Sequence, residues 1–183
     1  MTDYIYYSPN EIFDMIYKLG DKIKGSFNPD CLIGMSRGGL WVVRVLSDYF
    51  NNPNVFIIMT KYYKGIESTK RKLEILQDLD EKIVAGKKVL IVDDVADTGV
   101  SMSKGLELIK NKGAAKAKTA TLHYKPWSII KPDYFVEQTE KWIVYPWEIN
   151  ETIKSIIKTT TKEKLSQELK RTGIPKKLYQ NFL

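Results

Sequence analysis

Short apolar runs alternate with longer amphipathic stretches along this chain, and that alternation restricts the fold more than any other feature. Residues 9–24 place Ile12, Phe13, Ile16, Tyr17 and Leu19 along one side of a helix, with Pro9 near its start. Cys31-Leu32-Ile33-Gly34 reads as a short buried strand, residues 39–50 as a helix stopped by Asn51-Asn52-Pro53, and Val55 to Met59 as a second strand. Lys64 to Lys72 is polar, contains Gly65 and reads as a loop. Lys88 to Val92 forms a third strand, residues 100–112 a helix stopped by Gly113, and Lys118 to Tyr124 a fourth strand. Tyr134-Phe135-Val136 and Trp142 to Tyr145 read as shorter strands. Strands that alternate with helices pair in parallel through crossovers, which predicts an α/β, doubly wound, mostly parallel sheet. In such sheets ligands gather beyond the C-terminal strand ends, here after Ile33, Met59, Val92 and His123.

The chain has 183 residues, enough for one domain over residues 1–150 and a small appendage over 151–183. Its longest apolar run, Val55 to Met59, is far short of the roughly 18 residues of a membrane-spanning helix. No basic segment followed by an apolar stretch opens the chain, so no secretory signal is expected. A single cysteine, Cys31, excludes an internal disulfide or a cysteine-based zinc site, and a reducing, cytoplasmic location is the expectation. Most of the net charge of +7 belongs to residues 151–183, where eight Lys/Arg face three Asp/Glu. Ile153, Ile156, Ile157, Leu165 and Leu169 recur there at helical spacing, and Gly173 with Pro175 closes the segment. A solvated helix face is the plainer account of that charge; an anionic partner is the alternative.

Three carboxylates lie within five residues in Asp93-Asp94-Val95-Ala96-Asp97, directly after the clearest strand. Adjacent carboxylates at the end of a buried strand repel one another, so a metal, a hydroxyl-rich sugar or both should compensate them. Thr98-Gly99-Val100-Ser101 then leads into a helix, whose N-terminal N–H groups and dipole suit a phosphate. Gly99 permits close backbone approach, and the Thr98 and Ser101 hydroxyls add donors. Helix capping by Asp97 or Thr98 explains one polar residue but not the preceding acidic pair. One short segment thus offers groups for a sugar beside a cradle for its phosphate.

Four apolar residues, two acids, two variable residues and Asp-Thr-Gly resemble the binding motif of the type I phosphoribosyltransferases, which use phosphoribosyl pyrophosphate (PRPP). Gly34-Met35-Ser36-Arg37-Gly38-Gly39 follows the first buried strand, where that family places its pyrophosphate loop. The family's loop can carry a cis peptide, which would fall between Ser36 and Arg37. Lys125-Pro126-Trp127 and Lys141 to Glu148 are similar to segments of the bacterial and archaeal xanthine-guanine-hypoxanthine enzymes. The resemblance spans about residues 30–148. It implies the type I fold, with a small hood built from segments near 1–24 and 125–148. Two departures stand out: Thr60-Lys61-Tyr62-Tyr63 replaces the usual Ser-Tyr pair, and the tail is extra.

The resemblance implies a reaction of a 6-oxopurine base (guanine, hypoxanthine or xanthine) with PRPP, giving a nucleoside monophosphate and pyrophosphate. It assigns PRPP binding to Ser36, Arg37, Gly38 and Gly39 and to Asp93, Asp94, Ala96, Asp97, Thr98, Gly99, Val100 and Ser101. Mg2+ is the implied cofactor, with Asp94 as its contact. Asp97 occupies the general-base position. Lys125 would donate to the 6-oxo group, Trp142 would stack on the ring, and the Ile143 backbone would read its edge. Arg71 or Lys72 would reach PRPP from a loop closing over the site. A homodimer or homotetramer is expected, with no membrane partner and no nucleic acid. The alternatives are an adenine phosphoribosyltransferase on the same scaffold, or a PRPP- or nucleotide-sensing regulator that binds nucleic acid. His123 and Cys31 are expected to be packed structural residues.

Overall fold

A computed structural model describes residues 3–64 and 71–182. The chain forms two compact units, one of residues 14–139 and one of residues 1–13 with 140–183. Among the described residues no helix is long and apolar enough to cross a membrane.

In chain order the elements are β1 (Tyr4–Tyr6), α1 (Pro9–Lys24), β2 (Cys31–Ser36), α2 (Gly39–Tyr49), β3 (Val55–Lys64), β4 (Arg71–Gln77), β5 (Lys88–Ala96), α3 (Val100–Asn111), β6 (Lys116–Tyr124), β7 (Tyr134–Gln138), β8 (Trp142–Val144), α4 (Ile149–Thr159) and α5 (Lys162–Arg171). The unit of residues 14–139 contains a six-stranded sheet in the order β4-β3-β2-β5-β6-β7. Every pairing in it is parallel except β3 with β4. From β2 the chain winds outward to β3 on one side, and from β5 it winds to β6 and β7 on the other. The sheet therefore reverses direction between β2 and β5, which is where an open α/β sheet forms its ligand crevice.

The two central helices cover opposite faces. A Cβ on Gly34 would lie 2.7 Å from Val43 of α2, whereas a Cβ on Gly105 of α3 would lie 3.0 Å from Met35. Neighbouring residues of β2 point to opposite sides, so α2 and α3 sandwich the strand. Cys31, Ile33, Met35, Val89, Ile91, Met102 and Ile109 form the core on the α3 side. Cys31 is fully buried there, as its apolar strand context predicts.

Two differences from the sequence reading concern strands. β4 overlaps the expected loop of Lys64 to Lys72 only at Arg71 and Lys72 and otherwise falls where the sequence reading assigns no element: Leu73 is buried while its neighbour Glu74 is exposed, a half-buried alternation on an edge strand. Residues 65–70 lie outside the described residues. β5 continues to Ala96, held by its pairing with β6 through Ala96 and Tyr124, although aspartate is a poor strand former.

The second unit has a small sheet and a core of its own. β1 and β8 pair in parallel, with Tyr4, Ile5 and Tyr6 opposite Trp142, Ile143 and Val144. Val144, Ile153, Ile156, Leu169, Ile174 and Tyr179 form the core, with Tyr4 and Tyr6 packed against it. The apolar residues expected to line the tail helices do so, except that Ile157 is exposed. Lys154, Lys158, Lys162, Lys164, Lys170, Lys176 and Lys177 are exposed, which fits a solvated outer face.

Candidate active site

Two loops converge at the switch point because two glycines leave room. A Cβ on Gly38 would fall 2.3–2.4 Å from the Asp94 carboxylate. A Cβ on Gly39 would fall 2.4 Å from the Val92 carbonyl oxygen. The glycine loop after β2 thus rests directly on the acidic end of β5. The Ser36–Arg37 peptide is cis, at the position the resemblance implies.

Because β5 runs through the acids, their side chains go to opposite faces. Asp94 is buried, faces Gly38, and accepts a hydrogen bond from the Val95 N–H at 2.7 Å. Asp93 accepts from the Asp94 N–H at 3.0 Å and lines an open cleft of about 490 Å³. Val95, Ala96, Asp97, Thr98, Gly99, Val100, Ser101 and Met102 complete that cleft. α3 begins at its wall. Gly99 precedes the helix with φ +78°, the left-handed region that favours glycine, and a Cβ there would lie 2.3 Å from Ser128 Oγ. No acidic residue occupies the first turn of α3, which leaves its positive dipole end suited to an anion.

The segment after β6 is fastened to this cradle. The Lys125 N–H donates to the Ala96 carbonyl at 3.1 Å, and the Ile129 N–H donates to the Thr98 carbonyl at 3.0 Å. Lys125, Pro126, Trp127 and Ser128 form a turn closed by the Ser128 N–H to the Lys125 carbonyl at 3.0 Å. From that turn the Trp127 indole Nε1–H donates to Asp97 Oδ1 at 3.1 Å. Lys125 is buried, with Nζ 5.4 Å from the centre of the Trp127 ring. The sequence reading placed Trp127 beside the site and gave it no role. The turn signal of Pro126 was legible, but a contact across 30 residues was not.

Of the site residues expected from sequence, those of the loop after β2, the β5–α3 segment and Lys125 all fall within residues 14–139. Trp142 and Ile143 belong to the other unit. There Trp142 is 56% exposed and lines a cleft of about 720 Å³ with Tyr4, Glu148, Glu151, Thr152, Ser155, Ile156 and Thr159. Ile143 is buried in β8, and Trp147 stacks on Tyr145 with ring centres 4.9 Å apart. The side chains of Arg71 and Lys72 lie outside the described residues.

His123 is fully buried, and burial together with the Lys125 charge pushes its imidazole down to about 4. It is neutral at physiological pH and belongs to the frame, as its strand position predicts. The unfolded chain, with an ordinary pKa near 6.5, takes up a proton before the folded protein does. Above about pH 6.5 the group adds no pH dependence. Between about 6.5 and 4 stability falls with pH, by up to ~3 kcal/mol, and then levels off. Denaturant midpoints from pH 7 to 4.5 measure this, and His123→Gln is expected to remove that share of the decline.

A switch-point crevice with a glycine loop on one strand end and a helix N-terminus free of acidic residues on the next is a geometry suited to an anionic, phosphorylated ligand. Residues 2–152 match the family model described as phosphoribosyl transferase domain, and the chain belongs to that family, the type I phosphoribosyltransferases. It is 38% identical over 104 residues to an orotate phosphoribosyltransferase of Sulfurisphaera tokodaii, covering 56% of this chain and 48% of that one. It thus spans about half of that relative's length. It is 29% identical over 126 residues to a hypoxanthine-guanine phosphoribosyltransferase of Streptococcus pyogenes, covering 67% and 69% of the two chains. The crystal structure of a purine phosphoribosyltransferase from Pyrococcus horikoshii superposes with a TM-score of 0.72 at 36% identity, covering 80% of this chain and 94% of that one.

Proposed function

We propose that this chain is a purine-salvage phosphoribosyltransferase that joins a 6-oxopurine base to PRPP and releases pyrophosphate. The observation that carries this reading is the fastening of the Lys125 turn to the Ala96–Thr98 segment, which brings the Trp127 indole onto Asp97 and holds the same ring 5.4 Å from the buried Lys125 ammonium. The hypoxanthine-guanine and purine enzymes among the relatives support the choice of base.

In this reading the backbone of Ser36 to Gly39 and the Arg37 guanidinium bind the pyrophosphate, which leaves with the electron pair of the anomeric C–O bond. The N–H groups at the start of α3, with Thr98 and Ser101, bind the 5′-phosphate. Asp93 and Asp94 accept hydrogen bonds from the ribose hydroxyls and stabilise positive charge that develops on the sugar. Asp97 takes the proton from the purine ring nitrogen that forms the new bond to the anomeric carbon. Lys125 donates to the 6-oxo oxygen, and an amino group at that position would offer it no acceptor.

The donor set also fits Mg2+. Among the described residues no three His, Cys, Asp or Glu side chains form a dedicated metal cage. Mg2+ commonly takes one or two carboxylates, with water and substrate phosphate as its other ligands, and Asp94, which lies against the glycine loop, would supply one of them. When bound there, the ion would neutralise pyrophosphate charge.

The test is a spectrophotometric assay with PRPP, Mg2+ and, in turn, guanine, hypoxanthine, xanthine, adenine, uracil and orotate. Turnover confined to oxopurines supports the reading. Turnover of adenine, uracil or orotate keeps the PRPP site and discards the base assignment, and PRPP binding without turnover favours a regulator. Lys125→Ala is expected to lower kcat/KM for oxopurines by about 10- to 100-fold, the loss of one hydrogen bond from a charged donor. Undiminished oxopurine use by that variant would remove Lys125 from the base site.

A further inference from the structure

We propose that Trp127 is a positioning residue for Asp97, setting the spacing between the group that takes the base's proton and the group that holds its oxo oxygen. This rests on the reading of Asp97 as general base. Asp97 is exposed on the short link between β5 and α3, where an aspartate side chain would otherwise sample several rotamers. The Trp127 indole N–H engages one carboxylate oxygen, Oδ1, at 3.1 Å. The other oxygen, Oδ2, is then the acceptor for an incoming N–H. An indole N–H is a donor only, so it orients the carboxylate and cannot itself accept the proton of the base. This is the arrangement in which a third group orients a catalytic base.

Trp127 is itself held in place. Pro126 restricts the turn that carries it, and the backbone bonds from Lys125 to Ala96 and from Ile129 to Thr98 flank it on either side. The same ring lies 5.4 Å from Lys125 Nζ, close enough for cation–π attraction. One side chain therefore touches both groups assigned to the base. A 6-oxopurine holds its oxo oxygen and the nitrogen that bonds the sugar at a fixed separation across the fused rings, so the separation of the Asp97 and Lys125 groups has to match it. Trp127 is 54% exposed, so filling the core does not account for a tryptophan here.

The experiment is a double-mutant cycle on the full chain with PRPP and hypoxanthine or guanine each varied up to saturation, using Trp127→Phe, Asp97→Asn and the double variant. Trp127→Phe keeps the ring and removes the donor. It is expected to lower kcat about tenfold, with KM for PRPP within about twofold and the melting temperature unchanged. In the Asp97→Asn background the same change is expected to cost nothing further, because it acts through the carboxylate already lost. Trp127→His, which restores a ring N–H, is expected to recover part of kcat. Unchanged kcat in Trp127→Phe, a loss that adds in full to that of Asp97→Asn, or a fall in KM for the base (an indole that competes with substrate) would each overturn the proposal. Full activity of Asp97→Asn would overturn instead the reading of Asp97 on which it rests.

Discussion

Asp97→Asn is expected to lower kcat by about 10²- to 10⁴-fold, the range that a positioned general base contributes. The carboxamide has the same shape and retains an oxygen that can accept from the Trp127 indole, so the link between the two loops survives. It cannot take a proton at neutral pH, and the purine ring nitrogen must then lose its proton to water. PRPP binding should persist, because the cradle at the start of α3 and the glycine loop after β2 are untouched. Steady-state kinetics paired with calorimetric titration of PRPP separates the two effects. Lost turnover with retained PRPP affinity is the expected pair of results. A variant that turns over normally would show that another group accepts the proton.

Gly39→Ala is expected to disable the site through space alone. The new Cβ would meet the Val92 carbonyl oxygen at 2.4 Å and the Asp93 Cα at 3.1 Å. Both belong to the backbone of β5, which is hydrogen-bonded to β2 on one side and β6 on the other and has nowhere to move. The start of α2 must shift instead, carrying Arg37 and Gly38 away from the acids. Overpacking of this kind costs about 1–3 kcal/mol of stability. Displacing catalytic groups by on the order of 1 Å costs about 10²-fold in rate. Gly25→Ala is the matched control: a Cβ there meets nothing within 4 Å, so stability and activity should be unchanged. Thermal melts and kcat/KM for both variants measure the contrast. Equal behaviour of the two would mean that the loop after β2 does not need to approach β5 so closely.

The local code of this chain was unusually readable where one segment carries its own chemistry. The apolar run before Asp93, the acids and the turn at Gly99 lie consecutively, and strand, cradle and helix N-terminus follow from propensity and backbone geometry. The helix from Pro9 to Lys24 and the tail helices were equally legible, because a 3.6-residue apolar period needs no partner to be seen. β4 was not legible. Its alternation is short and is interrupted by Arg71, Lys72 and Glu74, which suits a sheet edge and gives little strand signal in isolation.

Contacts between distant segments were decided by the tertiary structure. The identities of Gly38 and Gly39 are visible in the sequence, but their necessity appears only when β5 lies against them. The extension of β5 through Ala96 depends on its pairing with β6, and that extension sends Asp93 and Asp94 to opposite faces. The tail's apolar stripe finds its partners in Val144, Tyr4 and Tyr6, from both ends of the chain. The hydrogen bond from Trp127 to Asp97 is of the same kind. By itself the sequence determined most of the elements and the strand–helix alternation that makes the sheet mostly parallel, because these depend on neighbours along the chain. Which residues touch was settled only by folding, because strand register and close packing depend on groups far apart in sequence.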